Sequence, residues 1–203
     1  MSVWVFCYDV VPTQYDIFDF DAYEKNPMDF YVVCTDVESS KPVYHKYEGR
    51  DNHGFDWIRA SASMLLVSQM VEIDGKKYLD GGISDSIPVR FFESEGYEKS
   101  VVVLTQPLGY VKKKNSMMPV MKRKYSKYPN LLEAIENRDI IYNATLRYIA
   151  EKEKAGELLV IRPECSLDVK KVEKDPEKLK AVYVCGRLAA AEKMAEIKKF
   201  LGE

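Results

Sequence analysis

The hydrophobic positions change period several times along the chain, and each change predicts an element. Residues 1–18, "MSVWVFCYDVVPTQYDIF", are apolar without a clear period or an obvious cap. A short helix is expected around "DFDAYEK", where Asp19 or Asp21 can accept from free helix N–H groups and Pro27 stops it. "DFYVVCTDV" then alternates Phe30, Val32 and Cys34 against Tyr31, Val33 and Thr35, the period of a strand. "ESSKP" breaks that run, and "VYHKY" can return as an antiparallel partner. "FDWIRASASMLL" predicts a helix. Two short strands follow, "MVEI" and "KKYL", joined by Asp74-Gly75, a pair suited to a tight hairpin because both residues tolerate positive φ.

Past the turn Asp80-Gly81-Gly82, "SIPVRFFESEG" predicts a helix with Pro88 in its first turn and Gly96 at its end. "KSVVVLT" and "ELLVIRP" are unbroken apolar runs of the kind that fill central strands covered on both faces. A helix is expected from about Asn130 to Lys154, ended by Gly156. Its stripe is Leu131, Ile135, Tyr142, Leu146 and Ile149, interrupted at Arg138-Asp139. From Asp175-Pro176 onward the chain predicts a helix capped by Asp175, with a break at Gly186. Strands alternating with helices imply an α/β fold. Two central strands, 99–105 and 157–162, are few for three layers. Either the sheet is small and mixed, or its first strands are absent from this chain.

At 203 residues without repeats or a low-complexity linker, one domain is expected over 1–203. The net charge of -2 excludes a simple polyanion binder, yet it conceals an asymmetry. Residues 1–100 hold 9 Lys+Arg against 18 Asp+Glu, whereas residues 101–203 hold 21 against 14. One face could therefore meet an anionic surface. Cys7, Cys34, Cys165 and Cys185 form no C-x-x-C pair, and with only two histidines no zinc spacing exists. No metal and no cofactor are expected. No secretory leader and no apolar run near the ~20 residues of a membrane span are present, so a cytoplasmic chain is expected.

The chemistry concentrates on "KKYLDGGISDSIPV", residues 76–89. A carboxylate at a strand end, followed by two glycines that allow a sharp turn, can face a pocket and act as a general base. The same Asp80 can equally cap the turn through local N–H groups, and spacing alone favours that plainer role. Ser84 and Ser86 are expected to cap the helix after Pro88. Ser61 and Ser63 lie on the helix before the hairpin. His53 offers a Ser–His–Asp arrangement only on paper, since it sits in the polar loop "GRDNHG".

"ASASMLLVSQMVEIDGKKYLDGGISDSIPVR" resembles the D-G-G segment of bacterial patatin-like phospholipases. "FYVVCTDVESSKPVYH", "VVVLTQPLGYVKK", "YPNLLEAIENRDIIYNATLRYI" and "LLVIRPE" resemble that family in its order, from about Phe20 to near the C-terminus. The resemblance implies a three-layer α/β fold with a mixed sheet and hydrolysis of lipid acyl esters by a Ser–Asp dyad. Asp80 matches the dyad base, with Gly81 and Gly82 forming the pocket turn. The chain contains no G-x-S-x-G nucleophile motif and no N-terminal glycine-rich loop. "GISDS" comes nearest but ends in Ser86. The expectation is therefore a C-terminal portion lacking the family's first strands, with the base but no nucleophile, inactive alone. A non-catalytic lipid- or protein-binding remnant is the alternative.

"YVKKKNSMMPVMKRKYSKYP", residues 110–129, carries seven Lys or Arg and no acid, with methionines between the basic clusters. It suits an anionic membrane surface or an anionic phospholipid, although a solvated loop with its methionines tucked inward explains it as well. No nucleic-acid motif accompanies the charge. Uncovered strand edges would make the chain a homo-oligomer or a partner of a separate N-terminal piece.

Overall fold

A computed structural model describes residues 6–49, 53, 55–170 and 173–202. Two compact units emerge, one of residues 1–87 with 113–142 and the other of residues 88–112 with 143–203.

The first unit is built on a four-stranded antiparallel sheet of β1 (Tyr31–Asp36), β2 (Pro42–Lys46), β3 (Val71–Ile73) and β4 (Lys76–Asp80), in the order β2-β1-β4-β3. Strand β1 pairs with β2, with Cys34 opposite Val43. On its other side β1 pairs with β4, bringing Cys34 opposite Asp80. Strand β3 closes a hairpin with β4. The hairpin turns on Asp74 at φ 50° and Gly75 at φ 74°, the positive values that the Asp-Gly pair predicts.

The alternation in "DFYVVCTDV" is realised at Val32 and Cys34, whereas Phe30 is exposed and Thr35 of the opposite set is buried. Val32 and Cys34 are buried with Trp57, Ala60, Val71, Ile73 and Tyr78 in one cluster. Trp57 and Ala60 come from a helix of only six residues, Asp56–Ser61, shorter than its apolar run predicts. The backbone leaves the helix at Ala62, and the Ser63 carbonyl is used instead to accept the Asp80 N–H at 3.1 Å. A tertiary bond to the end of β4 thus replaces the next helical turn here. A second cluster unites Val37, Leu79 and Ile83 with Met121 and Tyr125 of the basic segment and with Leu131 and Ile135. The short helix Phe20–Lys25 is capped by Asp19, which accepts from Ala22 N–H at 2.9 Å. Phe6–Tyr15, without a readable period, winds as a π-helix with no buried residue.

In the second unit, β5 (Ser100–Val103) and β6 (Leu158–Ile161) pair in parallel, Ser100 opposite Leu158. Both were expected as central, covered strands. β6 buries Leu158, Leu159 and Val160 as expected, whereas β5 leaves Val103 70% exposed, and among the described residues each strand pairs only with the other. The unit also holds the helix Val89–Ser94, preceded by Pro88 and closed near Gly96 at φ +90°. Its C-terminal helix Pro176–Leu201 is capped by Asp175, which accepts from Glu177 N–H at 3.0 Å. It runs unbroken through Gly186, contrary to the expected interruption. One glycine costs a helix interior only about 1 kcal/mol, and the alanines that follow restore the propensity. The helix Pro129–Lys154 is likewise continuous through Arg138-Asp139 and supplies residues to both units.

Candidate functional site

Asp80 is the last residue of β4, where the chain leaves the sheet for a single 3-10 turn, Gly81–Ile83. Its main chain is held on both sides. The N–H donates to Ser63, and the carbonyl accepts from the buried Thr35 Oγ1 at 2.9 Å. The half-exposed carboxylate accepts the Gly82 N–H through Oδ1 at 2.7 Å. Oδ2 accepts no hydrogen bond among the described residues.

The two glycines answer different demands. At Gly81 a Cβ would lie 2.2 Å from the Val33 carbonyl oxygen, so the approach of β1 leaves room for no side chain. At Gly82 a Cβ would meet Asp80 Oδ1 at 3.0 Å, Arg138 Nη2 at 3.1 Å and Ser86 Oγ at 3.4 Å. Three polar side chains therefore converge on Gly82. Its carbonyl accepts from Arg138 Nε at 2.5 Å and from Ser86 Oγ at 2.8 Å.

Arg138 was visible in the sequence only as an interruption of an apolar stripe. That interruption was its signal: a charged pair inside the buried stripe of a helix needs a polar partner. The Gly82 carbonyl is that partner for Arg138. The serines correct the expected capping. Ser84 Oγ lies 2.8 Å from Thr35 Oγ1 and Ser86 binds Gly82, while the helix Val89–Ser94 has no side-chain cap. Ser63 is buried, with its hydroxyl donated to the Arg59 carbonyl at 2.8 Å.

The neighbouring acid has a different task. Asp85 Oδ2 accepts the Tyr44 hydroxyl at 2.6 Å, and burial followed by this bond pushes the phenol up. Burial foremost, with the Asp80 charge adding to it, pushes the Cys34 thiol up to about 12. Cys34 is thus a neutral packing group beside the acid. His53 pairs with Asp74 at 3.2 Å on the hairpin turn. Asp74 lies in the turn that precedes β4 and Asp80 ends that strand, whose five residues alone span roughly 13 Å at ~3.3 Å per extended residue, so the structure does not bring this histidine to the acid.

Among the described residues no three His, Cys, Asp or Glu side chains gather to hold a metal ion, and no helix is long and apolar enough to cross a membrane. The arrangement at Asp80 can do one thing chemically. A carboxylate with one oxygen fixed and the other open can receive a hydroxyl proton along a defined direction.

An antiparallel and a parallel sheet among helices, with an acid presented at a strand end, define an α/β protein. Residues 24–92 match the family model of patatin-like phospholipases, and Asp80 falls within that span. Residues 128–202 match a second family model, a domain of unknown function (DUF6363). No curated protein matches the chain. The fold is α/β, and its patatin-like match covers residues 24–92.

Proposed function

We propose that this chain is the base-bearing part of a lipid acyl-ester hydrolase in which Asp80 activates a serine lying outside these 203 residues. One observation carries the reading. Within the patatin-like match, Asp80 sits at a strand end with Oδ1 tied to Gly82 and Oδ2 open. In the proposed reaction Oδ2 takes the serine hydroxyl proton as the serine oxygen attacks the acyl carbonyl. The proton then passes to the departing alcohol. Water repeats the sequence and releases the fatty acid, returning serine and carboxylate to their starting states. The chain contains no G-x-S-x-G, so by this reading it has no turnover alone. Its four free cysteines support a reducing, cytoplasmic setting.

A second reading has an observation in its favour. The Oδ1 bond to Gly82 is also what a turn-capping aspartate makes, so a non-catalytic lipid- or protein-binding remnant would show it too. Expression of the whole native reading frame separates the two. The hydrolase reading expects fatty-acid release from phospholipid vesicles and labelling of one serine by a fluorophosphonate, with no labelling of the 203-residue chain. A whole protein that neither releases fatty acid nor reacts with the probe defeats it.

A further inference from the structure

The helix Met118–Lys124 within the basic segment has two unlike faces. Met118, Met121 and Tyr125, spaced i, i+3 and i+7, point inward, and the last two are buried with Leu79 and Ile83. The outer side is different. Met117 and Val120 are each 48% exposed. Lys113, Lys114, Arg123, Lys124 and Lys127, close to them in sequence, are exposed as well, and no acid occurs anywhere in 110–129. Lys122 lies 3.9 Å from Glu136 and is left out of this rim.

Solubility accounts for the lysines but not for Met117 and Val120 at the centre of a cationic rim. A nucleic acid would engage the charge and leave the apolar pair unused. An anionic bilayer engages both: the headgroups meet the cations, and the two side chains enter the boundary between headgroup and acyl chain.

We propose that Met117 and Val120, with their rim of Lys113, Lys114, Arg123, Lys124 and Lys127, dock on an anionic lipid bilayer. The surface rests on exposure and charge, not on the chemistry of Asp80, and it names where the proposed hydrolase would find its ester. It also has a mechanical link to that acid. Leu79 and Ile83 flank the Asp80-Gly81-Gly82 turn, and both pack in one cluster with Met121 and Tyr125 from the inner face of the docking helix. The docking helix and the turn therefore belong to one packed body.

Sedimentation of the 203-residue chain with sucrose-loaded vesicles tests this without any turnover, so a failed hydrolase reading leaves the result intact. Binding is expected to vesicles of phosphatidylglycerol with phosphatidylcholine and not to phosphatidylcholine alone, and high salt should release it. At about five-fold per basic residue, the variant Lys113→Gln/Lys114→Gln/Arg123→Gln/Lys127→Gln should bind at least ~10²-fold more weakly. Met117→Asp/Val120→Asp should also weaken binding while leaving the thermal melt in place. Absence of vesicle binding, equal binding to neutral vesicles, or indifference to salt overturns the proposal. Capture of an oligonucleotide without capture of anionic vesicles would do the same and assign the rim to nucleic acid.

Discussion

The antiparallel sheet and the parallel strand pair bury their strands to different degrees. In the first, every strand but the outer two has two partners, and the alternation of β1 delivers Val32 and Cys34 to a closed core. In the second, β5 and β6 have only each other among the described residues. The C-terminal helix of that region contributes no buried residue and leaves Tyr183 and Leu188 in the open. Apolar content alone is a poor guide to burial within the pair itself, since "LLVI" of β6 buries three residues while "SVVV" of β5 buries only Val102. The candidate acid ends an inner strand with a partner on each side, where a fixed backbone can aim a side chain.

Cysteine chemistry should show the contrast at its largest. Cys34 is fully buried and holds its proton until about pH 12, whereas Cys165 is exposed and Cys185 half-buried. At pH 8 the thiolate fraction of Cys34 is about 10³-fold below that of an ordinary thiol, so alkylation mapped by mass spectrometry should spare it. Equal labelling would show that the sheet opens freely. The same shift has a stability consequence. Unfolding returns the thiol to its ordinary value near 9, so the contribution is complete below pH 9 and is lost as pH rises toward about 12.

A pair of identical substitutions sharpens the comparison. Gly81→Ala would drive a methyl to 2.2 Å from the Val33 carbonyl and should cost about 3 kcal/mol in urea unfolding. Arg138→Met keeps much of the side chain's bulk but removes the bond to Gly82. A loss of about 1–2 kcal/mol is expected from the same measurement, because the guanidinium is only half-buried. Gly186→Ala meets nothing within 4 Å in the C-terminal helix and should stabilise by about 0.5–1 kcal/mol. Matching signs for the two glycine replacements would erase the distinction between the regions.

Local signals predicted most of the sheet and helix boundaries. Alternation marked β1, Asp74-Gly75 marked the hairpin, and Asp175-Pro176 marked the start of the last helix. The misses are tertiary. The run after Trp57 has helical periodicity, but Ser63 leaves the helix to pair with Asp80. Ser86 has the composition of a cap, yet the Gly82 carbonyl is the acceptor within its reach. Of the site, Asp80 and the need for glycine at 81 were legible from the turn. Arg138 showed only as a break in an apolar stripe; its pairing was not legible, because 56 residues separate it from Gly82 and no periodicity reports so distant a partner.

The most direct measurement compares Asp80 with Asn in the whole native reading frame. Asparagine retains an oxygen to accept the Gly82 N–H, so the turn should persist, while the base is removed. Fatty-acid release should fall by roughly 10²–10⁴-fold, with the unfolding midpoint nearly unchanged. Unchanged release together with a stability loss above about 2 kcal/mol would assign Asp80 to the turn and contradict its role as a base.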